Sequence, residues 1–108
     1  MIITTTPAIE GKKITEYKGI VFGEFIAGLN VLKDITVGIK SVLGKQSSSY
    51  EDDIQEARKQ AIDHLAARAE EMGANAVIGV DVDYAILGTA NNMLMVTATG
   101  TAVVTESM

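Results

Sequence analysis

The chain has 108 residues, a single proline and a formal charge of −5, a length that supports one compact domain, residues 1–108, and leaves too little for two independent cores. With 47% hydrophobic and 21% charged residues and a mean hydropathy of +0.22 it is no disordered tail, and it carries more apolar material than a lone small domain hides. The acidic balance disfavours nucleic acid and anionic membrane as partners, and the absence of cysteine excludes disulfides, thiolate nucleophiles and cysteine-based zinc sites.

Met1 to Pro7 has neither a positive n-region nor a long apolar run, so a cytoplasmic location is expected. A short strand is predicted near Ile2 to Thr6, then a long strand or bent hairpin from Lys13 to Ile26, with Gly19 and Gly23 as bulges or points of close approach. A helix is expected from Val31 to Val42, with Asn30 as its N-cap and Leu32, Ile35, Ile39, Val42 and Leu43 on one side. Gly44 to Ser48 reads as a polar loop. The clearest element is a helix from Tyr50 to Met72, with Ser49 as N-cap, Asp52 completing an acidic capping box, and Gly73 in the left-handed C′ position. Residues set at 100° intervals place Ile54, Ala57, Ala61, Leu65, Ala69 and Met72 on one stripe, widened by Ile62 and Ala66. The stripe is mostly alanine, which lets a helix sit close on a sheet.

A strand follows over Ala76 to Tyr84, in which Ile78, Val80, Val82 and Tyr84 alternate with Val77, Gly79, Asp81 and Asp83. After a turn at Gly88 to Asn92, another runs from Met93 to Val104. Its small-residue face, Leu94, Val96, Ala98, Gly100 and Ala102, belongs under the helix. The opposite face, Met93, Met95, Thr97, Thr99, Thr101 and Val103, is neither a full core nor a charged surface. Tyr84 to Thr105 carries no charge and is long enough to span a bilayer, but Asn91-Asn92, its glycines and the alternating threonines read as strands with a turn.

These elements predict an α+β fold: an antiparallel-rich β-sheet with one long and one shorter helix packed on one face. The other face needs a cover, and identical chains closing on it imply a homo-oligomer. Charge divides the chain near Ser49, with six basic against four acidic residues before it and three against ten after it, so an acidic second half can meet a mildly basic first half of a neighbour.

With the segments laid out, the chain resembles the YbjQ-type family of small bacterial proteins, whose label is "putative heavy-metal-binding". The resemblance runs nearly end to end. It is carried by Thr5-Thr6-Pro7, Gly11, Tyr17 with Gly19, Val21 to Glu24, Ser49-Tyr50-Glu51, Ala57-Arg58, Gly73 to Gly79, and Gly100-Thr101-Ala102-Val103. It implies a bacterial cytosolic protein assembled as a ring, a homopentamer, and it brings no agreed catalytic activity. The lack of cysteine makes a soft-metal site harder to build.

Candidate positions follow from residue chemistry. Arg58 projects onto the helix's apolar stripe, where a charge needs a partner. It is either a guanidinium held by a carboxylate or carbonyls, or an anion or interface clamp with Tyr50 and Glu51. Asp81 and Asp83 share a strand face with Cα atoms about 6.6 Å apart. They are either a solvated face or, multiplied around a ring axis, a cage for a hard divalent metal ion, the one cofactor the residues suggest. His64, the only histidine, is a boundary residue or a ligand repeated around the axis. Met93 and Met95 are packing residues or thioether donors for copper(I). Ser47 to Ser49 lack a nearby base, and the spacing from Gly38 to Gly44-Lys45, followed by Gln46, fails as a phosphate loop. No catalytic residue emerges. The expected function is a ring-forming binding protein with an unassigned ligand; metal binding, or an enzyme with an intersubunit site, stand as alternatives.

Overall fold

A computed structural model describes residues 1–28, 46–87 and 93–108, and of residues 28 and 46–53 the backbone alone. In chain order the elements are β1 (Ile2–Ile3), β2 (Lys12–Gly28), α1 (Gln46–Glu71), β3 (Ala76–Leu87) and β4 (Met93–Ser107). They form one four-stranded sheet in the order β1-β3-β4-β2, with β1 parallel to β3 and the other neighbours antiparallel, so the α+β class holds with a mixed sheet. The shorter helix expected over 31–42 and the turn over 88–92 lie outside the described residues.

The central strand β4 follows its sequence alternation. Leu94, Val96, Ala98 and Ala102 are buried in the main core, whereas Met95, Thr97, Thr99 and Thr101 are half-buried on the far side. From α1 the same core takes Ala57, Ala61, Leu65 and Ala69. These lie four apart, and each step of four advances about 40° around a helix, so the buried row slants across the axis, as a row packed on a twisted sheet does. The slant corrects the expectation for Arg58. In a straight projection it falls among buried residues, but near residue 57 the row has not yet turned that far, and Arg58 is exposed.

Small residues set the depth of this packing. A Cβ built on Gly23 of β2 would fall onto the Ala61 carbonyl oxygen and lie 2.9 Å from Leu65 Cα, so the backbones of helix and strand are in direct contact there. Gly100 is similarly filled from above, by Val77 Cγ1 at 2.6 Å. Gly23 is therefore the close-approach point, and Gly19 is the bulge: the β2–β4 register slips between Tyr17 and Gly19, where φ is +120°.

The helix begins at Gln46, upstream of the expected cap at Ser49. Serine and aspartate cost only a few tenths of a kcal/mol inside a helix, so a capping pattern permits a start without enforcing one. The other end follows the sequence: Gly73 has φ +85°, its N–H donates to the Glu70 carbonyl (2.9 Å) and that of Ala74 to the Ala69 carbonyl (3.0 Å), a complete Schellman motif. Asn75 then clasps β4, its side-chain amide donating to the Thr105 carbonyl (3.0 Å) and accepting from the Thr105 N–H (2.8 Å).

One strand reading is overturned. The β3–β4 register slips between Ile78 and Asp81, with Gly79 at φ +62°, so simple alternation fails. Val77 and Val80 both enter the main core, while Ile78 joins Ala76 and Val103 in a second cluster with Ile9 and Ile14. The bulge's N–H groups are satisfied from the N-terminal segment: Gly79 donates to the Thr6 carbonyl (2.9 Å) and Val80 to that of Thr4 (3.0 Å).

Replacing Gly23 by alanine forces backbone against backbone, which no rotamer change relieves. Gly23→Ala is expected to lower the unfolding free energy by about 1–3 kcal/mol in a urea titration. Unchanged stability would contradict the contact between β2 and α1.

Candidate functional site

The face of the sheet opposite α1 has a layout fixed by the strand register. Phe22, Thr99 and Asp81 lie side by side across β2, β4 and β3; Glu24, Thr97 and Asp83 form the next row, and Ile26, Met95 and Ala85 the one after. Along β2, Tyr17, Ile20, Phe22 and Ile26 are 68, 66, 54 and 51% exposed. The face is thus apolar along β2 and acidic along β3.

Asp81 and Asp83 are both exposed, two residues apart on β3. Hydrogen bonding to Asp81 and the repulsion of its charge push the Asp83 carboxyl above its ordinary value of 3.8. His64 lies elsewhere. Its Nδ1 is 2.6 Å from the Glu24 carbonyl on β2, and since a carbonyl only accepts, Nδ1 carries the proton. Strand β4 separates β2 from β3, a gap of about 10 Å, so one chain does not bring His64 to the aspartate pair.

Sequence reasoning missed the strongest polar contact in the described residues. Arg68 of α1 holds Glu24 in a two-pronged ion pair, Nη1 to Oε2 at 2.9 Å and Nη2 to Oε1 at 2.7 Å, and Nη1 also donates to the Phe22 carbonyl at 2.9 Å. The hydrogen bond from Arg68 holds the Glu24 carboxyl below its ordinary value of 4.5, assisted by the positive charge and opposed by desolvation. One signal was present: Glu24 is the only charged residue from Gly19 to Gly28, and an isolated carboxylate on an apolar strand needs a cation.

Arg58 lines a shallow depression of about 380 Å³ with Gln55, Lys59, Ile62 and Asp63, in which Lys59 and Asp63 pair at 2.9 Å. The side chains of its expected clamp partners, Tyr50 and Glu51, lie outside the described residues.

A profile of the YbjQ family, described as "Putative heavy-metal-binding", matches residues 1–106. The chain belongs to the YbjQ family. It is 58% identical over 106 residues to a UPF0145 protein of Clostridium botulinum, covering 98% of this chain and 100% of that one. It is also 58% identical over 107 residues to a UPF0145 protein of Listeria ivanovii, covering 99% and 97%. A crystal structure of a DUF74 family protein from Pediococcus pentosaceus shares the fold, with a TM-score of 0.67 at 17% identity over 98% of both chains.

The heavy-metal description of the YbjQ family can be tested on these side chains. The chain has no cysteine, and its single imidazole has one nitrogen committed to the Glu24 carbonyl. Among the described residues no three histidine, aspartate or glutamate side chains converge. Among the described residues, one chain does not gather a donor set suited to a soft metal.

The two shifted carboxylates titrate with opposite sign. Glu24, lowered in the fold, stabilises the protein above its ordinary value, and that contribution disappears as pH falls through the lowered one. Asp83, raised in the fold, leaves the protein most stable below its ordinary value and costs stability as pH rises through the raised one. Urea titrations from acid to neutral pH should show the deficit of Glu24→Gln relative to the parent shrinking towards acid, and the advantage of Asp83→Asn growing towards neutrality. Parallel curves would contradict both assignments.

Proposed function

We propose that this YbjQ chain is a ring-forming bacterial cytosolic protein that acts by binding rather than by catalysis, and that its outer sheet face is covered by identical chains. The observation that carries this reading is the row Tyr17, Ile20, Phe22 and Ile26, each more than half exposed on the face that α1 leaves open. An apolar row of this kind on a small domain marks an interface. The elongation of the protomer agrees: its Cα radius of gyration is 17.1 Å, whereas about 13 Å is usual for this length. Five is the number of subunits that the family resemblance implies.

A second reading, hard-cation binding, is supported by the Asp81–Asp83 pair. Two exposed carboxyl groups two residues apart on one strand would take up a divalent ion if the ring brought further copies of the pair together. The anion clamp at Arg58 has only the exposed position beside Lys59 in its favour.

Sedimentation at micromolar concentration tests the main reading: the parent should run as a pentamer and Phe22→Glu as a folded monomer. A parent that is itself a stable monomer would overturn it. Calorimetric titration with Mg²⁺, Ca²⁺ and Mn²⁺ tests the second, which fails if no heat appears or if Asp81→Asn binds as well as the parent.

A further inference from the structure

Among the described residues strand β2, 17 residues long, is an outer strand of the sheet, and it has the properties of an aggregation template. From Gly19 to Gly28 it carries one charge, no proline, and the β-prone residues Ile20, Val21, Phe22, Phe25 and Ile26. The register with β4 is regular from Gly19 to Gly28, so alternate residues direct their backbone groups away from β4 towards the open side. The Phe22 and Glu24 carbonyls are two such successive groups, and both are taken: Phe22 by Arg68 at 2.9 Å, Glu24 by His64 at 2.6 Å.

The spacing explains how one helix reaches both. Residues four apart on a helix rise about 6 Å, and residues two apart on a strand about 6.6 Å. His64 and Arg68 therefore match Glu24 and Phe22 along the edge. By strand alternation the Glu24 side chain belongs to the far face, so its ion pair draws the guanidinium across the edge. An incoming strand would have to displace a cation, an imidazole and a charge-assisted ion pair to reach these carbonyls.

We propose that Arg68, His64 and Glu24 form a guard on the β2 edge that blocks strand addition by the apolar β2 segment of a second copy, separating closed assembly from open-ended β-aggregation. The guard does not rest on the proposed ring, which is argued from the face of the sheet rather than its edge. Lys59 provides the control, since Lys59→Ala removes one cation and one ion pair from the same helix without touching β2.

The test follows thioflavin fluorescence and light scattering of full-length variants, held well below each variant's melting temperature, with circular dichroism confirming the fold. Arg68→Ala should shorten the lag about tenfold, the effect on open-edge population of losing one charge-assisted hydrogen bond, while Lys59→Ala behaves as the parent. Adding Phe22→Pro to Arg68→Ala should restore the lag, because proline removes an edge N–H that the β2–β4 ladder does not use, whereas adding Phe22→Ala should not. Should Arg68→Ala fail to fold, Arg68→Lys and Glu24→Gln take its place, each weakening the guard while keeping the helix. Parent-like lags in the folded guard variants, or equal rescue by alanine and proline, would overturn the proposal.

Discussion

The contact between the α1 backbone and Gly23 governs the rest of the structure. A side chain at that position would collide with the Ala61 carbonyl and the Leu65 backbone, so the sheet presents a bare Cα where the helix needs depth. The helix answers with Ala57, Ala61 and Ala69 around the single large residue Leu65, all buried. A seat this close fixes the helix over β2 as well as over β4. It thereby carries Arg68 and His64 to the strand's outer edge, where they bond the Phe22 and Glu24 carbonyls.

The same seat buries the middle of one face of the sheet; on the other, Ile9 and Ile14 cover only the cluster of Ala76, Ile78 and Val103, and Tyr17, Ile20, Phe22 and Ile26 stay more than half exposed. On that second face the apolar side chains of β2 and the carboxyl groups of β3 are kept apart by the threonines of β4, which neither fill a core nor carry charge. Among the described residues no three metal-capable side chains converge, and the strand order keeps His64, beside β2, apart from the aspartate pair on β3.

Much of the fold was legible because local chemistry and tertiary packing agree. The alternation of β4 assigned Leu94, Val96 and Ala98 to the helix side, and Gly73 marked the helix end that its hydrogen bonds complete. Two readings failed where a regular period met an irregular backbone. Alternation through Gly79 could not anticipate that a bulge would put Val77 and Val80 on one side, since a glycine in a strand does not announce which way its φ will turn. A straight helical projection placed Arg58 among the alanines because it ignores the slant that sheet twist imposes on the buried row. The Arg68–Glu24 pair was hidden for a different reason. It joins residues 44 apart in sequence, and only the depth of the helix seat brings them together.

Proton cross-relaxation in isotope-labelled protein tests that seat most directly. Strong cross-peaks from the Gly23 α-protons to the backbone protons of Leu65, with weaker ones from Glu24 to the His64 ring, are the predicted result. If Gly23 shows cross-peaks only to its β4 neighbours and none to the helix, α1 does not rest on β2, and the burial pattern and the placement of Arg68 lose their common cause.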